Sequence, residues 1–150
     1  MSVAIPVHMK RGLFGPDPFV ILVGTDRTAL IHVDRKRYES IVAPYRQATY
    51  LERLSGTMHA FAEYADAMCK EPLDEVISRN PRCTAVDNGD IVSFELFVGR
   101  DERTGRRHDY YTFELKCRHR KFKGTVDRGT DLSGKAHALR GILGDRLRMS

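Results

Sequence analysis

Between Lys116 and Lys123 the chain reads Lys-Cys-Arg-His-Arg-Lys-Phe-Lys, five fixed positive charges and one histidine in eight residues. Ammonium and guanidinium groups at that density neutralise phosphates, which gives affinity for a polyanion without reading base sequence. The expected nucleic-acid contacts are Lys116, Arg118, Arg120, Lys121 and Lys123, helped by Arg106 and Arg107 in the preceding loop, with Arg103 enlarging the field. Read as one extended strand, the run puts Lys116, Arg118 and Arg120 on one face, and His119, Lys121 and Lys123 on the other or at its end. Tyr110 and Phe122 are placed to stack on an unpaired base. An acidic protein surface is the alternative partner for the same charge, and a basic strand edge also discourages aggregation. A second segment, Gly129-Thr130-Asp131-Leu132-Ser133-Gly134-Lys135-Ala136, follows the G-x-x-x-x-G-K spacing of a phosphate loop but ends on Ala136, which has no hydroxyl for a magnesium ion. What survives is a phosphate-binding role for Lys135 near a helix start.

A third constellation is Glu114-Leu115-Lys116, with Asp90 at the start of the preceding strand. With that aspartate it resembles the D…(D/E)-x-K pattern of restriction-endonuclease-like nucleases. The resemblance covers about a third of the chain and departs from the family's usual proline before the aspartate, since Gly89 stands there. It implies a magnesium-dependent nuclease as an alternative function. Asp90 and Glu114 would hold the ion, Lys116 would position or activate the attacking water, and Glu63 or Glu52 would assist. Such a site requires the Asp90 and Glu114 carboxylates within about 4 to 6 Å of each other.

No other grouping has catalytic spacing. Cys69, Cys83 and Cys117 form no C-x-x-C pair, and His8, His32, His59, His108, His119 and His137 show neither H-x-H nor H-x-x-x-H spacing. The cysteines therefore read as buried reduced thiols, and no metal or cofactor is expected.

The elements that position these residues follow from periodicity. Val3 to Met9 reads as a short strand and Arg11 to Pro18 as a breaker-rich stretch. Phe19 to Val23 and Thr28 to Val33 read as a hairpin around the four-residue loop Gly24 to Arg27. Pro44 suits a first helical turn, opening a long helix that ends near Lys70. In it Leu51, Leu54, Met58, Phe61, Ala65 and Met68 alternate spacings of three and four, so all six share one face. That stripe is expected in the core, and homodimerisation through Leu51, Leu54, Met58 and Phe61 is its alternative use. Pro72 opens a short helix that stops before Asn80. Cys83 to Val86 and Ile91 to Val98 read as strands joined by the turn signal Asn88-Gly89. A third strand runs from about Asp109 to Arg120, and a final helix carries Leu132, Ala136, Leu139, Leu143 and Leu147.

The fold expected is therefore a single α+β domain over residues 1–150, with antiparallel strands from the N- and C-terminal halves packed on a long central helix and a C-terminal helix. Its 150 residues, 41% hydrophobic, suffice for one core. Residues 1–75 carry 9 Lys+Arg against 10 Asp+Glu, and residues 76–150 carry 16 against 10, so the net charge of +5 comes from the second half. No apolar run approaches the roughly 20 residues of a spanning helix, and the first ten residues lack a signal-peptide pattern, so no membrane association and a cytoplasmic location are expected.

Overall fold

The computed structural model describes residues 2–10, 15–46 and 50–150, with the side chains of 45–58 outside the description. Among the described residues the chain is mixed α+β. The N-terminal strands are β1 (Ser2–Lys10), β2 (Pro16–Gly24) and β3 (Arg27–His32). Helices α1 (Arg35–Arg46), α2 (Tyr50–Met68) and α3 (Leu73–Arg79) follow. Then come β4 (Thr84–Asp87), β5 (Ile91–Phe97), β6 (Thr112–Cys117), β7 (Lys121–Val126), α4 (Leu132–Leu143) and β8 (Leu147–Met149).

All eight strands belong to one sheet in the order β4-β3-β2-β1-β7-β6-β5-β8. The β1–β2 register, from Ser2↔Gly24 to Lys10↔Pro16, makes a long antiparallel pair. Only Val7↔Val126 and His8↔Thr125 join β1 to β7. Pro6 stands where that ladder stops; it has no N–H to donate, and its carbonyl accepts from Asp127 N at 2.9 Å. Gly124 permits the junction, because a Cβ there would lie 2.2 Å from the His8 carbonyl oxygen.

The sheet is curled. β4 and β5 are separated by six strand-to-strand steps, about 29 Å in a flat sheet. Yet only Asn88, Gly89 and Asp90 link them, and the four steps from Asp87 to Ile91 reach at most about 14 Å. The edges must therefore approach one another, and Asn88 fastens them. Its side chain, buried at 5% exposure, accepts from Thr28 Oγ1 at 2.7 Å and donates to the Gly24 carbonyl at 2.7 Å. Its backbone N–H donates to Asp26 O at 2.8 Å, and its carbonyl accepts from the Arg146 guanidinium ahead of β8. Asn88-Gly89 is thus a corner from the edge strand β4 to β5, one strand in from the opposite edge, not the hairpin turn that its residue types suggest.

Alternation along β1, β2 and β3 separates two cores. Val3, Ile5, Val7, Phe19, Ile21, Val23 and Leu30 face inward with Phe94, Leu96, Phe113, Leu115 and Val126, and α4 docks on them through Leu132, Leu139 and Leu143. Ala4, Val20, Leu22, Ala29 and Ile31 face outward and bury Phe61 and Ala65 of α2 and Val76 of α3. With both faces covered, β1 and β2 read as continuous apolar runs. Phe61 and Ala65 are thus spent within the chain, and Phe61, at 1% exposure, is not a free dimer face. Leu51, Leu54, Met58 and Glu52 lie outside the described side chains. Pro44 sits in the last turn of α1, not at a helix start; Asp34 opens α1, its carboxylate accepting from Arg37 N at 2.7 Å. No described helix is long and apolar enough to cross a membrane.

Candidate nucleic-acid interface

The basic run does not form one strand. β6 ends at Cys117, whose N–H donates to the Arg120 carbonyl at 2.7 Å, and β7 returns with Lys116↔Lys121 and Glu114↔Lys123 in register. Arg118, His119 and Arg120 therefore occupy a hairpin tip. Alternation then sends Phe113, Leu115 and Cys117 inward, and Glu114 and Lys116 outward beside Glu95 of β5.

The outward charges largely neutralise each other. Glu114 accepts from Lys121 at 2.9 Å and lies 3.6 Å from Lys116, and the Lys121 hydrogen bond above all holds its carboxyl below the usual glutamate range. Arg148 lies 3.4 Å from Glu95. Arg118 lies 3.8 Å from Asp90, and its N–H donates to the Asp90 carbonyl at 2.8 Å. Asp90 is thus tied to position 118, four residues along the chain from Glu114, or about 13 Å of extended strand. Glu114 and Lys116 thus meet while Asp90 is paired with Arg118 instead, and no group of three metal-ligating side chains occurs among the described residues.

Arg106 and Arg107 sit at the other end of the ribbon. Their hairpin, closed by the Arg100↔Arg107 bridge, lies beyond Thr112, whereas the Lys121 end of β7 lies at the opposite end of β6. Asp101 accepts from Thr104 N at 2.9 Å and Arg103 N at 2.8 Å, bonds that hold its carboxyl below the usual range. Tyr110 is occupied by the His108 ring, stacked at 4.7 Å, and by Arg128, 5.4 Å from its centroid. Lys135, in the first turn of α4, gives its ammonium to Asp66 at 2.6 Å. Asp131 caps that helix by accepting from Gly134 N, so both features that suggested a phosphate site there have partners within the chain.

A different basic site appears where five strand ends meet. A groove of about 390 Å³ is lined by Met9 and Lys10 of β1, Phe19 of β2, Leu30 and His32 of β3, Arg82 and Thr84 at the start of β4, and Arg120 to Lys123. No residue of α4 lines it. Its floor is apolar: Met9, Phe19 and Leu30 are at most 8% exposed, and Phe122 lies beneath Arg120, whose guanidinium is 5.0 Å from the ring centroid. The rim is cationic. Lys10, Arg82, Arg120 and Lys123 are all exposed and take part in no ion pair among the described residues, and no acidic residue lines the groove. His32, 4.9 Å from the Phe19 ring, faces Asp17 at 3.6 Å.

Arg120, Lys121 and Lys123 thus lie at this groove, Lys116 and Arg118 are paired away from it, and Lys10, Arg82 and Phe19 join it unannounced by the sequence. Burial pushes the Cys83 and Cys117 thiols up. Neither a protein-family model nor a curated protein matches the chain.

Proposed function

We propose that the protein is a non-enzymatic nucleic-acid-binding module that holds the phosphate backbone along the groove rim. The observation that carries this reading is the convergence of Lys10, Arg82, Arg120 and Lys123, exposed and without carboxylate partners among the described residues, on one concave surface whose described lining holds no acidic residue. Guanidinium and ammonium groups held so release condensed cations when a phosphate chain replaces water, the main source of sequence-independent affinity. Lys121 reinforces the rim while shared with Glu114, and Arg106 and Arg107 extend the positive field from the far end of the ribbon. The three free thiols suit a reducing cytoplasm. Titration with labelled single- and double-stranded DNA and RNA, with and without magnesium, tests the proposal. Salt-sensitive binding with no strand cleavage is expected. Inertness toward every nucleic acid, alongside capture by an acidic polypeptide, would overturn it in favour of a protein partner.

A further inference from the structure

Two properties of the groove are not needed for phosphate contact alone. A rim of cations binds a phosphate chain on a flat surface equally well, yet this rim surrounds a floor of Met9, Phe19, Leu30 and Phe122. A purely apolar ligand, conversely, would have no use for four cations at the entrance. A nucleotide presents both parts, a flat apolar-faced ring joined through a sugar to phosphate.

Resting on the nucleic-acid reading, we infer that the groove seats one unpaired nucleobase of a single strand, with the flanking phosphates on Lys10, Arg82, Arg120 and Lys123. The volume of about 390 Å³ lies at the small end of the roughly 300 to 1,000 Å³ range of small-ligand sites, enough for one nucleotide unit. A base in a duplex has both faces stacked on neighbours, so only an unpaired one offers a face to the floor. The Arg120 guanidinium, already parked over Phe122, supplies a planar cation beside which a base ring lies. Among the groove's side chains away from the charged rim, only Thr84 and His32 are polar, and His32 faces Asp17. A single hydroxyl that both donates and accepts cannot distinguish one base edge from another. The site is therefore selective for single strands and indifferent to sequence.

The test compares three labelled ligands on the full chain at one salt concentration: a 12-residue single strand, the same backbone with abasic residues, and the corresponding duplex. Base stacking on such a surface sets the expected loss for the abasic strand at about five- to hundredfold in Kd. Salt slopes for the two single strands should agree, because their phosphates are the same. Thr84 stands on the edge strand β4 opposite Leu30, where a larger ring fills the groove without breaking a central ladder. Thr84→Phe, checked for folding by its thermal midpoint, should erase the difference between the base-bearing and abasic strands. Equal, salt-sensitive binding of both strands to the wild type would overturn the base-seating inference and leave phosphate binding standing. Failure of both strands to bind, with an acidic peptide bound instead, would overturn both.

Discussion

Replacing Asn88 should loosen the closure of the curled sheet, and the size of the effect follows from its partners. Asn88→Ala removes the acceptor of the Thr28 hydroxyl, whose residue is 0% exposed, and the donor to the Gly24 carbonyl, both at 2.7 Å. Each buried polar group left without a partner costs about 1 to 3 kcal/mol, so the pair predicts a loss of about 2 to 6 kcal/mol. The backbone bond to Asp26 is retained, so only the side-chain bonds are lost. Urea unfolding followed by circular dichroism measures the loss, and each kcal/mol should lower the thermal midpoint by roughly 2 to 4 °C. Asn88→Asp sharpens the test. A carboxylate cannot donate to Gly24, and burial beside that carbonyl raises its folded pKa above the unfolded aspartate value. The folded form then binds the extra proton, so this variant's deficit should be greatest at neutral pH and shrink as pH falls through the raised value. A double-mutant cycle with Thr28→Val should show coupling above about 0.5 kcal/mol. Wild-type stability for Asn88→Ala, or a pH-independent deficit for Asn88→Asp, would refute the clasp.

Phe61→Ala should cost about 3 to 5 kcal/mol in denaturant unfolding, because the ring is 1% exposed among β1, β2 and β3 side chains. Gly124→Ala places a Cβ 2.2 Å from the His8 carbonyl oxygen and 3.0 Å from Phe113; overpacking at that junction predicts a loss of about 1 to 3 kcal/mol or more. Glu114 lies below its ordinary value of 4.5 chiefly through the Lys121 hydrogen bond, so its contribution to stability is present above that value and lost as pH falls through the lower folded one. Glu114→Gln should flatten the acid limb of the stability curve and, by releasing Lys121 to the groove, steepen the salt dependence of single-strand binding by about 0.7.

Local signals carried the parts of this fold that rest on local physics. The β2–β3 hairpin, α3 between Pro72 and Asn80, and the Phe61 and Ala65 face of α2 are where alternation, prolines and the helical period place them. The β2–β3 ladder ends at Val23↔Thr28, but Gly24 pairs with Ser2 and Arg27 with Asp87, so both belong to strands and only Thr25 and Asp26 lie between. β7 escaped because Lys121-Phe122-Lys123-Gly124 carries charges and a glycine where a strand usually carries branched side chains, and the turn before it has no Gly or Pro. β8 has three residues, too few to show a period. Asn88-Gly89 misled because a turn dipeptide says nothing about which strands its flanks will join; that depends on bonds to Thr28 and Gly24, some 60 residues away. The basic character of the candidate site was legible, but its location was not. Lys10 reaches Lys123 through the long-range pairing of β1 with β7, Arg82 joins them only after the sheet has curled, and Glu114 and Asp90 withdraw Lys116 and Arg118 through ion pairs set by strand register.

The slope of log Kobs against log salt for a labelled single strand tests most directly the proposal that the groove rim is the nucleic-acid site. Four phosphates neutralised by Lys10, Arg82, Arg120 and Lys123 predict a slope near −3 for the wild type, at roughly 0.7 per contact. The quadruple alanine variant, shown to be folded by its circular dichroism and thermal midpoint, should bind weakly with a slope near zero. An unchanged slope and affinity in that variant would contradict the account and move the interface elsewhere on the molecule.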